Sequence, residues 1–242
     1  MEMFKSRNSI IKAKEVDLND DIRAASIFDL FQDIAGKHAD ELGVGYMDAY
    51  NSGYFWVILQ ESFEVLGKLP KYDDEVMVNT WPKPTGRLFC EREYEVLDSN
   101  NNLIIKGIST WGIIDINSRS ILRPDTVKFN GEFRDFTRYP KPQRHKLGLK
   151  LGDVKATYDY KVLLSDCDHN RHFNNARYLD MIYNMDVIND KKFKKVEIAF
   201  IHEAYHDEIV NVKYYVDELN KACFIGYVND KLCFEARIEL ED

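Results

Sequence analysis

YDDEV at residues 72–76 and YHDEI at residues 205–209 are two similar pentapeptides that stand at the same place in two similar halves of the chain. Before each one, the residue pattern predicts a strand and a helix, and after each one it predicts further strands. Alignment of Tyr72 with Tyr205 therefore indicates an internal duplication. A unit with one strand, one long helix and a run of antiparallel strands is α+β, with the sheet wrapped around the helix.

Hydrophobic spacing gives the boundaries of these elements. In the first half it predicts a helix over residues 25–42 and strands over 9–19, 54–66, 74–81, 87–97 and 103–116. In the second half it predicts a helix over 174–188 and strands over 155–164, 196–202, 208–216, 221–228 and 231–240. The connecting segment is rich in Pro, Gly, Lys and Arg, as a surface connector should be. We therefore predict an N-terminal domain over residues 1–130, a basic linker over 131–156 and a C-terminal domain over 157–242.

Composition narrows the class of protein. The 242 residues are 45% hydrophobic and 31% charged, with a net charge of −8, which favours a soluble globular protein and argues against nucleic acid as a partner. The chain has no run of about 18 apolar residues and its start lacks a signal-peptide pattern, so we predict no membrane contact and a cytoplasmic location. The four cysteines show neither zinc-site pairs nor disulfide-scaffold density, which predicts free thiols. No cofactor is predicted.

The most polar stretch of the chain directly precedes a predicted helix. In DCDHNRHFNNARYLDMIY, residues 166–183, the side chains of Asp168, Asn170 and His172 alternate before the helix, and in an extended segment they would share one face. A helix N-terminus beside them could hold an oxyanion. Glu203, at the end of a predicted strand, is a candidate general base, and His172 is an alternative one.

The same residues also have plainer interpretations. An Asp-x-Asn-x-His run before a helix is often only a cap and a solvated loop. Alternation points Cys167 away from Asp168, which favours an inert thiol over a nucleophile. His169 and His172, like His202 and His206, have metal-ligand spacing, but such pairs arise by chance and no metal site is predicted.

Asp168 to Tyr178 (DHNRHFNNARY) resembles the D-x-N-x-H-x-N-N-x-K/R-Y motif of the plant and bacterial acyl-acyl carrier protein thioesterases. The resemblance covers nearly the whole chain, and FIHEAYHD at residues 200–207 resembles the family segment Y-R-R-E-C-G-R-D. It implies a fold of two tandem hotdog domains, each an antiparallel sheet wrapped around a long central helix. It also places Glu203 on the family's Glu and Ala204 on its Cys.

Because Ala204 cannot act as a nucleophile, the resemblance implies hydrolysis by an activated water. Glu203 would be the general base, Asn170 and His172 would hold the water or polarise the thioester carbonyl, and Asp168 would orient its neighbours. The implied reaction releases a fatty acid from acyl carrier protein (ACP) and ends chain elongation. The alternatives are an acyl-CoA thioesterase, a hotdog dehydratase and a non-catalytic acyl-thioester binding protein. Association of two chains is left open.

Two further sets of residues are predicted to bind substrate and carrier. The first half lacks an equivalent polar set, and the alignment puts Pro70 where Glu203 stands, so we expect one catalytic site per chain and an acyl tunnel shaped by the first half. The predicted substrate contacts are Asn174, Asn175, Ile34 and Trp56. Carrier proteins are acidic, so basic residues of the linker are candidates for docking them: Arg134, Arg138, Arg144 and Lys146.

Overall fold

The computed structural model describes residues 2–139, 146–189 and 191–241. The chain divides into two units, Met1–Gln143 and Arg144–Asp242, so the division falls within the predicted linker. Among the described residues, no helix is both long enough and apolar enough to cross a membrane.

The first unit contains a five-stranded antiparallel path with a long helix. Its elements are β1 (Lys5–Ile10), α1 (Ala24–Glu41), α2 (Tyr46–Asn51), β2 (Tyr54–Val65), β3 (Glu75–Pro82), β4 (Cys90–Leu97), β5 (Leu103–Asp115) and β6 (Ile121–Leu122). The strands lie in the order β1-β3-β4-β5-β2, and the short β6 pairs with β5.

Helix α1 lies close against this sheet. Its fully buried Ile27, Phe31 and Ile34 are spaced three to four residues apart, which gives the helix one apolar face. The Phe31 ring stacks on Tyr94 of β4 at 4.3 Å between centroids. A Cβ on Gly107 of β5 would lie 2.2 Å from this ring, so only glycine permits the close approach of helix and sheet.

The second unit repeats the strand order. Its elements are β7 (Ala156–Lys161), α3 (Arg177–Tyr183), β8 (Lys192–Phe200), β9 (Ile209–Val216), β10 (Ala222–Val228) and β11 (Lys231–Glu241). The order β7-β9-β10-β11-β8 is that of the equivalent strands in the first unit, and the pairings are again antiparallel. The predicted duplication and the α+β class are therefore confirmed.

Several predicted boundaries are wrong. The strand predicted over residues 9–19 lies earlier, at Lys5–Ile10, and is followed by a short 3-10 helix and a turn. The stretch at residues 43–53 contains α2, which the sequence analysis did not predict. The second helix spans only Arg177–Tyr183, because residues 174–176 before it and residues 184–188 after it do not continue the helix.

The alignment of the two pentapeptides is wrong by one residue. The amide of Asp73 donates to the carbonyl of Ile11 at 2.9 Å, and the amide of Asp207 donates to that of Val162 at 3.0 Å. Both aspartates have a φ of 69°, which identifies the same turn position in the two units. Tyr72 is therefore equivalent to His206 and not to Tyr205.

Candidate active site

The segment with Asp168, Asn170 and His172 is a closed turn and not an extended strand. The amide of Asp168 donates to the carbonyl of His172 at 2.9 Å, and Arg171 has a φ of 67°. Asp168 Oδ1 accepts the amides of Asn170 at 2.9 Å and of His172 at 3.1 Å. Asp168 therefore fixes the backbone of the turn. The side chain of Asn170 is exposed and forms no hydrogen bond within the described part of the chain.

Backbone pairing brings this turn to the residues that follow β8. Phe173 donates its amide to the carbonyl of Ala204 at 2.8 Å, and His172 forms a bridge with Tyr205. His172 Nδ1 consequently lies 3.4 Å from Glu203 Oε1, with side-chain exposures of 30% and 46%. Two residues that are 31 positions apart thus form a partly exposed imidazole–carboxylate pair.

Tyr205 belongs to this arrangement, although the sequence analysis missed it. Its hydroxyl donates to Glu203 Oε2 at 2.8 Å. Its ring meets the His172 ring edge to face, with 5.1 Å between centroids. The sequence did carry one indication of its importance, because Tyr205 stands where the family segment quoted above has glycine.

A cavity of about 250 Å³ opens beside the carboxylate of Glu203. Glu208 forms part of its wall and accepts the Tyr205 amide through Oε2 at 2.9 Å. The lining residues are His202, Glu203, Tyr205, Glu208, Val228, Asn229 and Lys231. The arrangement offers a carboxylate that can accept a proton, with an imidazole close by, at a space large enough for water and a small polar group.

The thiols near the site are not suited to nucleophilic attack. Ala204 is fully buried and carries no thiol. Burial, followed by the charges of Asp166 and Asp168, raises the pKa of Cys167, whose Sγ lies 3.6 Å from the carbonyl oxygen of Leu163. Burial raises the pKa of Cys233 to about 11. A thiolate is therefore disfavoured at both cysteines.

The predicted substrate contacts occupy ordinary structural positions. Asn174 Oδ1 accepts the Ala176 amide at 2.9 Å, so this side chain stabilises the turn before α3, and Asn175 is partly buried beside it. Ile34 is fully buried on α1, and the indole of Trp56 donates to the carbonyl of Val44 at 2.9 Å.

Two of the four predicted docking residues are held by contacts within the first unit. Arg134 lies over the rings of Phe4, Trp81 and Phe136 at 4.5 to 5.0 Å. Arg138 Nε donates to Glu95 Oε1 at 2.6 Å. Lys146 is exposed, and Arg144 lies outside the described residues.

The first unit carries the same backbone turn, although the side chains around it are different. Asp17 Oδ1 accepts the amides of Asn19 at 2.8 Å and of Asp21 at 3.1 Å. Asp21 takes the place of His172, and Lys71 Nζ lies 3.3 Å from its carboxylate. The amide of Ile22 donates to the carbonyl of Pro70.

This pairing makes Pro70 equivalent to Ala204, so Leu69, and not Pro70, stands at the position of Glu203. The first unit therefore has the turn without the imidazole and without the carboxylate. In neither unit do the described residues include a group of three or more His, Cys, Asp or Glu side chains placed to hold a metal ion.

Two family models match this chain along most of its length. One, described as the acyl-ACP thioesterase N-terminal domain, matches residues 2–127, and the other, described as the acyl-ACP thioesterase C-terminal domain, matches residues 150–238. The chain belongs to the acyl-ACP thioesterase family, as the motif at Asp168 to Tyr178 predicted.

Individual relatives are distant in sequence. An oleoyl-acyl carrier protein thioesterase 2 of Arabidopsis thaliana is 23% identical over 84% of this chain and 60% of its own length. A palmitoyl-acyl carrier protein thioesterase of the same plant is 24% identical over 84% of this chain and 53% of its own length. The chain thus spans little more than half the length of these curated relatives.

Solved structures establish the fold. An acyl-ACP thioesterase from Bacteroides thetaiotaomicron has a TM-score of 0.84 at 22% identity, covering 99% of this chain and 98% of that one. A 12:0-ACP thioesterase from Umbellularia californica has a TM-score of 0.79 at 18% identity, covering 99% and 97%. The prediction of two tandem hotdog domains is confirmed.

Proposed function

We propose that the chain is a thioester hydrolase that releases a fatty acid from acyl-ACP. The observation that carries this proposal is the Glu203–His172 pair, 3.4 Å apart beside a cavity, in a chain of the acyl-ACP thioesterase family. Glu203 would take a proton from a water molecule as that water attacks the thioester carbonyl carbon. A C–O bond forms, the C–S bond then breaks, and the carrier's phosphopantetheine thiolate leaves and takes up a proton.

The other candidate residues would assist this step. His172, and Asn170 with its uncommitted side chain, would hold the water or polarise the carbonyl oxygen. Asp168 would act through the backbone, because its carboxylate fixes the turn that presents His172. The buried Ala204 supports a route without a cysteine nucleophile.

The partner would be an acyl carrier protein, and the reaction would end fatty acid synthesis. The relatives are named for different acyl chains, namely oleoyl, palmitoyl and 12:0, so the proposal specifies a fatty acyl chain without a particular length. Docking through Arg134 and Arg138 has little support, because both side chains have partners within the first unit. The four free thiols suit a reducing compartment, and we propose the cytoplasm; recovery of the protein with membranes in cell fractionation would contradict this.

The test is thiol release from a series of acyl chains, each presented on ACP and on coenzyme A. Glu203→Gln and His172→Ala should each lower the rate by about a hundredfold or more while remaining folded. Glu218→Gln is the matched control, since this exposed carboxylate of the same unit lies 3.6 Å from Lys150 and far from the pair in sequence.

Each result has a definite meaning. Release from ACP that both variants abolish supports the proposal. Release from coenzyme A alone would change the substrate class. Binding of acyl thioester without release of thiol would indicate a binding protein or a dehydratase, and would refute the hydrolase.

A further inference from the structure

Tyr205 makes contact with both members of the proposed catalytic pair. Its hydroxyl is 2.8 Å from Glu203 Oε2, and its ring meets the His172 ring at an interplanar angle of 88°. The other oxygen of Glu203, Oε1, is the one that lies 3.4 Å from His172. The two carboxylate oxygens therefore have different partners.

We propose that Tyr205 is a positioning residue that fixes the orientation of the Glu203 carboxylate and of the His172 ring. This inference rests on the proposed function and deepens it. A glutamate side chain that is 46% exposed can adopt several rotamers, and only some of them place the carboxylate beside His172. A phenol that donates to the carboxylate selects one of them, and such charge-assisted bonds are stronger than neutral ones.

Tyr205 is itself held firmly enough to do this. Its amide donates to Glu208 Oε2 at 2.9 Å, and its backbone pairs with His172. Asn229 Nδ2 donates to Glu208 Oε1 at 3.3 Å, which ties the same carboxylate to the hairpin between β10 and β11. The phenol therefore extends from a backbone position that several contacts define.

The equivalent position of the first unit supports a role tied to the pair. There the residue is Lys71, which lies 3.3 Å from Asp21 and donates to the carbonyl of Asn19 at 3.0 Å. Leu69 replaces the glutamate in that unit. Tyrosine thus occurs in the unit that has Glu203, whereas lysine occurs in the unit that has leucine at the equivalent position and pairs there with a different carboxylate, that of Asp21.

The test compares Tyr205→Phe with Tyr205→Gly, using Tyr72→Phe as the control. Tyr205→Phe keeps the ring against His172 and removes the donor, so kcat should fall about tenfold to a hundredfold while KM changes less than about twofold. Tyr205→Gly, which restores the residue of the family segment, removes both contacts and should lower kcat further. Tyr72 is 54% exposed, its hydroxyl has no partner among the described residues, and its loss should change nothing.

A second measurement does not depend on turnover. The infrared carboxylate band of Glu203, identified as the difference between wild type and Glu203→Gln, should shift in Tyr205→Phe because the carboxylate loses its phenol donor. If the wild type releases no thiol, the proposed hydrolysis fails, and an unmoved band then overturns the Tyr205 inference as well. If the wild type is active and Tyr205→Phe retains the wild-type kcat, the positioning role is overturned while the hydrolase stands.

Discussion

Glu61 on β2 is a fully buried carboxyl group whose removal should stabilise the first unit. Gln32 Nε2 donates to its Oε2 at 3.3 Å, and its Oε1 has no hydrogen-bond partner among the described residues. Burial raises the pKa of Glu61 to about 8, with Gln32 acting in the opposite direction and Asp29 adding to the rise. The folded protein should therefore keep Glu61 protonated at neutral pH.

The cost of Glu61 to stability follows from the difference between its pKa in the unfolded chain and its pKa in the folded chain. In the unfolded chain the glutamate ionises above its ordinary pKa of 4.5, whereas in the folded chain it does so only above about 8. As pH rises between these values, the unfolded state loses a proton that the folded state retains, so stability falls. The unfolding free energy lost in this way is about 3 kcal/mol at pH 7 and about 1 kcal/mol or less at pH 5.

Glu61→Gln keeps the shape and cannot ionise, so it should remove this loss. The first unit should gain about 3 kcal/mol at pH 7, or roughly 6 to 12 °C in Tm, and little at pH 5. All three tryptophans, Trp56, Trp81 and Trp111, lie in the first unit, so their fluorescence reports its unfolding. Urea titrations at the two pH values measure the gain.

Glu64→Gln provides the control for this experiment. Glu64 lies on the same strand, but it is 35% exposed and 2.9 Å from Lys106, so its replacement should change stability by less than about 1 kcal/mol at both pH values. A Glu61→Gln variant with the same pH dependence as the wild type would show that Glu61 ionises normally, and the reasoning would be wrong.

Three further predictions concern other parts of the molecule. Asp17→Ala and Asp168→Ala each remove a carboxylate that accepts two backbone amides, so each variant should lose about 1 to 2 kcal/mol of unfolding free energy in urea titrations. Only Asp168→Ala should also lower kcat. Equal effects of the two substitutions on kcat would contradict a single catalytic site per chain. Arg138→Glu places a like charge against Glu95 and should lower the unfolding free energy by about 1 kcal/mol or more in the same titrations. A raised KM for acyl-ACP at unchanged stability would instead favour carrier docking at this position. Ala204→Cys creates a thiol at a fully buried position, so iodoacetamide should inhibit this variant no more than the wild type, and selective inhibition would point to a cysteine route.

The elements that the sequence predicted best are those whose signal is local. The apolar residues of α1 recur at helical spacing over five turns, and the predicted helix at residues 25–42 differs from Ala24–Glu41 by one residue at each end. The second helix was predicted too long at both ends: residues 184–188 form turns after it, and before it Asn174 uses its side chain to cap a turn where the apolar spacing alone favoured helix. Propensity does not reveal such a competing hydrogen bond.

The candidate site was predictable in part. The residue types and the family motif indicated Asp168, Asn170, His172 and Glu203, but spacing suggested an extended strand. The closed turn depends on a positive φ at Arg171, a conformation that residue type does not predict. The contact between Tyr205 and Glu203 depends on the backbone pairing of two distant segments, so periodicity could not show it.

The two equivalent turns separate the scaffold of the site from its chemistry. In both units, an aspartate accepts the amides two and four residues later, at distances that agree within about 0.1 Å. This shared geometry shows that Asp17 and Asp168 stabilise the backbone of the two turns in the same way. What distinguishes the second unit is the set of side chains around the turn, where His172, Glu203 and Tyr205 stand in place of Asp21, Leu69 and Lys71.

Those three differences change the electrostatics of the turn as well as its shape. In the first unit, Lys71 lies against Asp21, so the nearest carboxylate has a cation beside it and is 7% exposed. In the second unit, the carboxylate of Glu203 faces a cavity and is 46% exposed, with the Tyr205 hydroxyl donating to it and His172 Nδ1 3.4 Å away. The buried Asp21 carboxylate has little access to water, whereas the Glu203 carboxylate faces a cavity and is placed to take a proton from a water molecule there. The duplicated fold thus provides two equal frameworks, and the residues of the second one alone provide the proposed base.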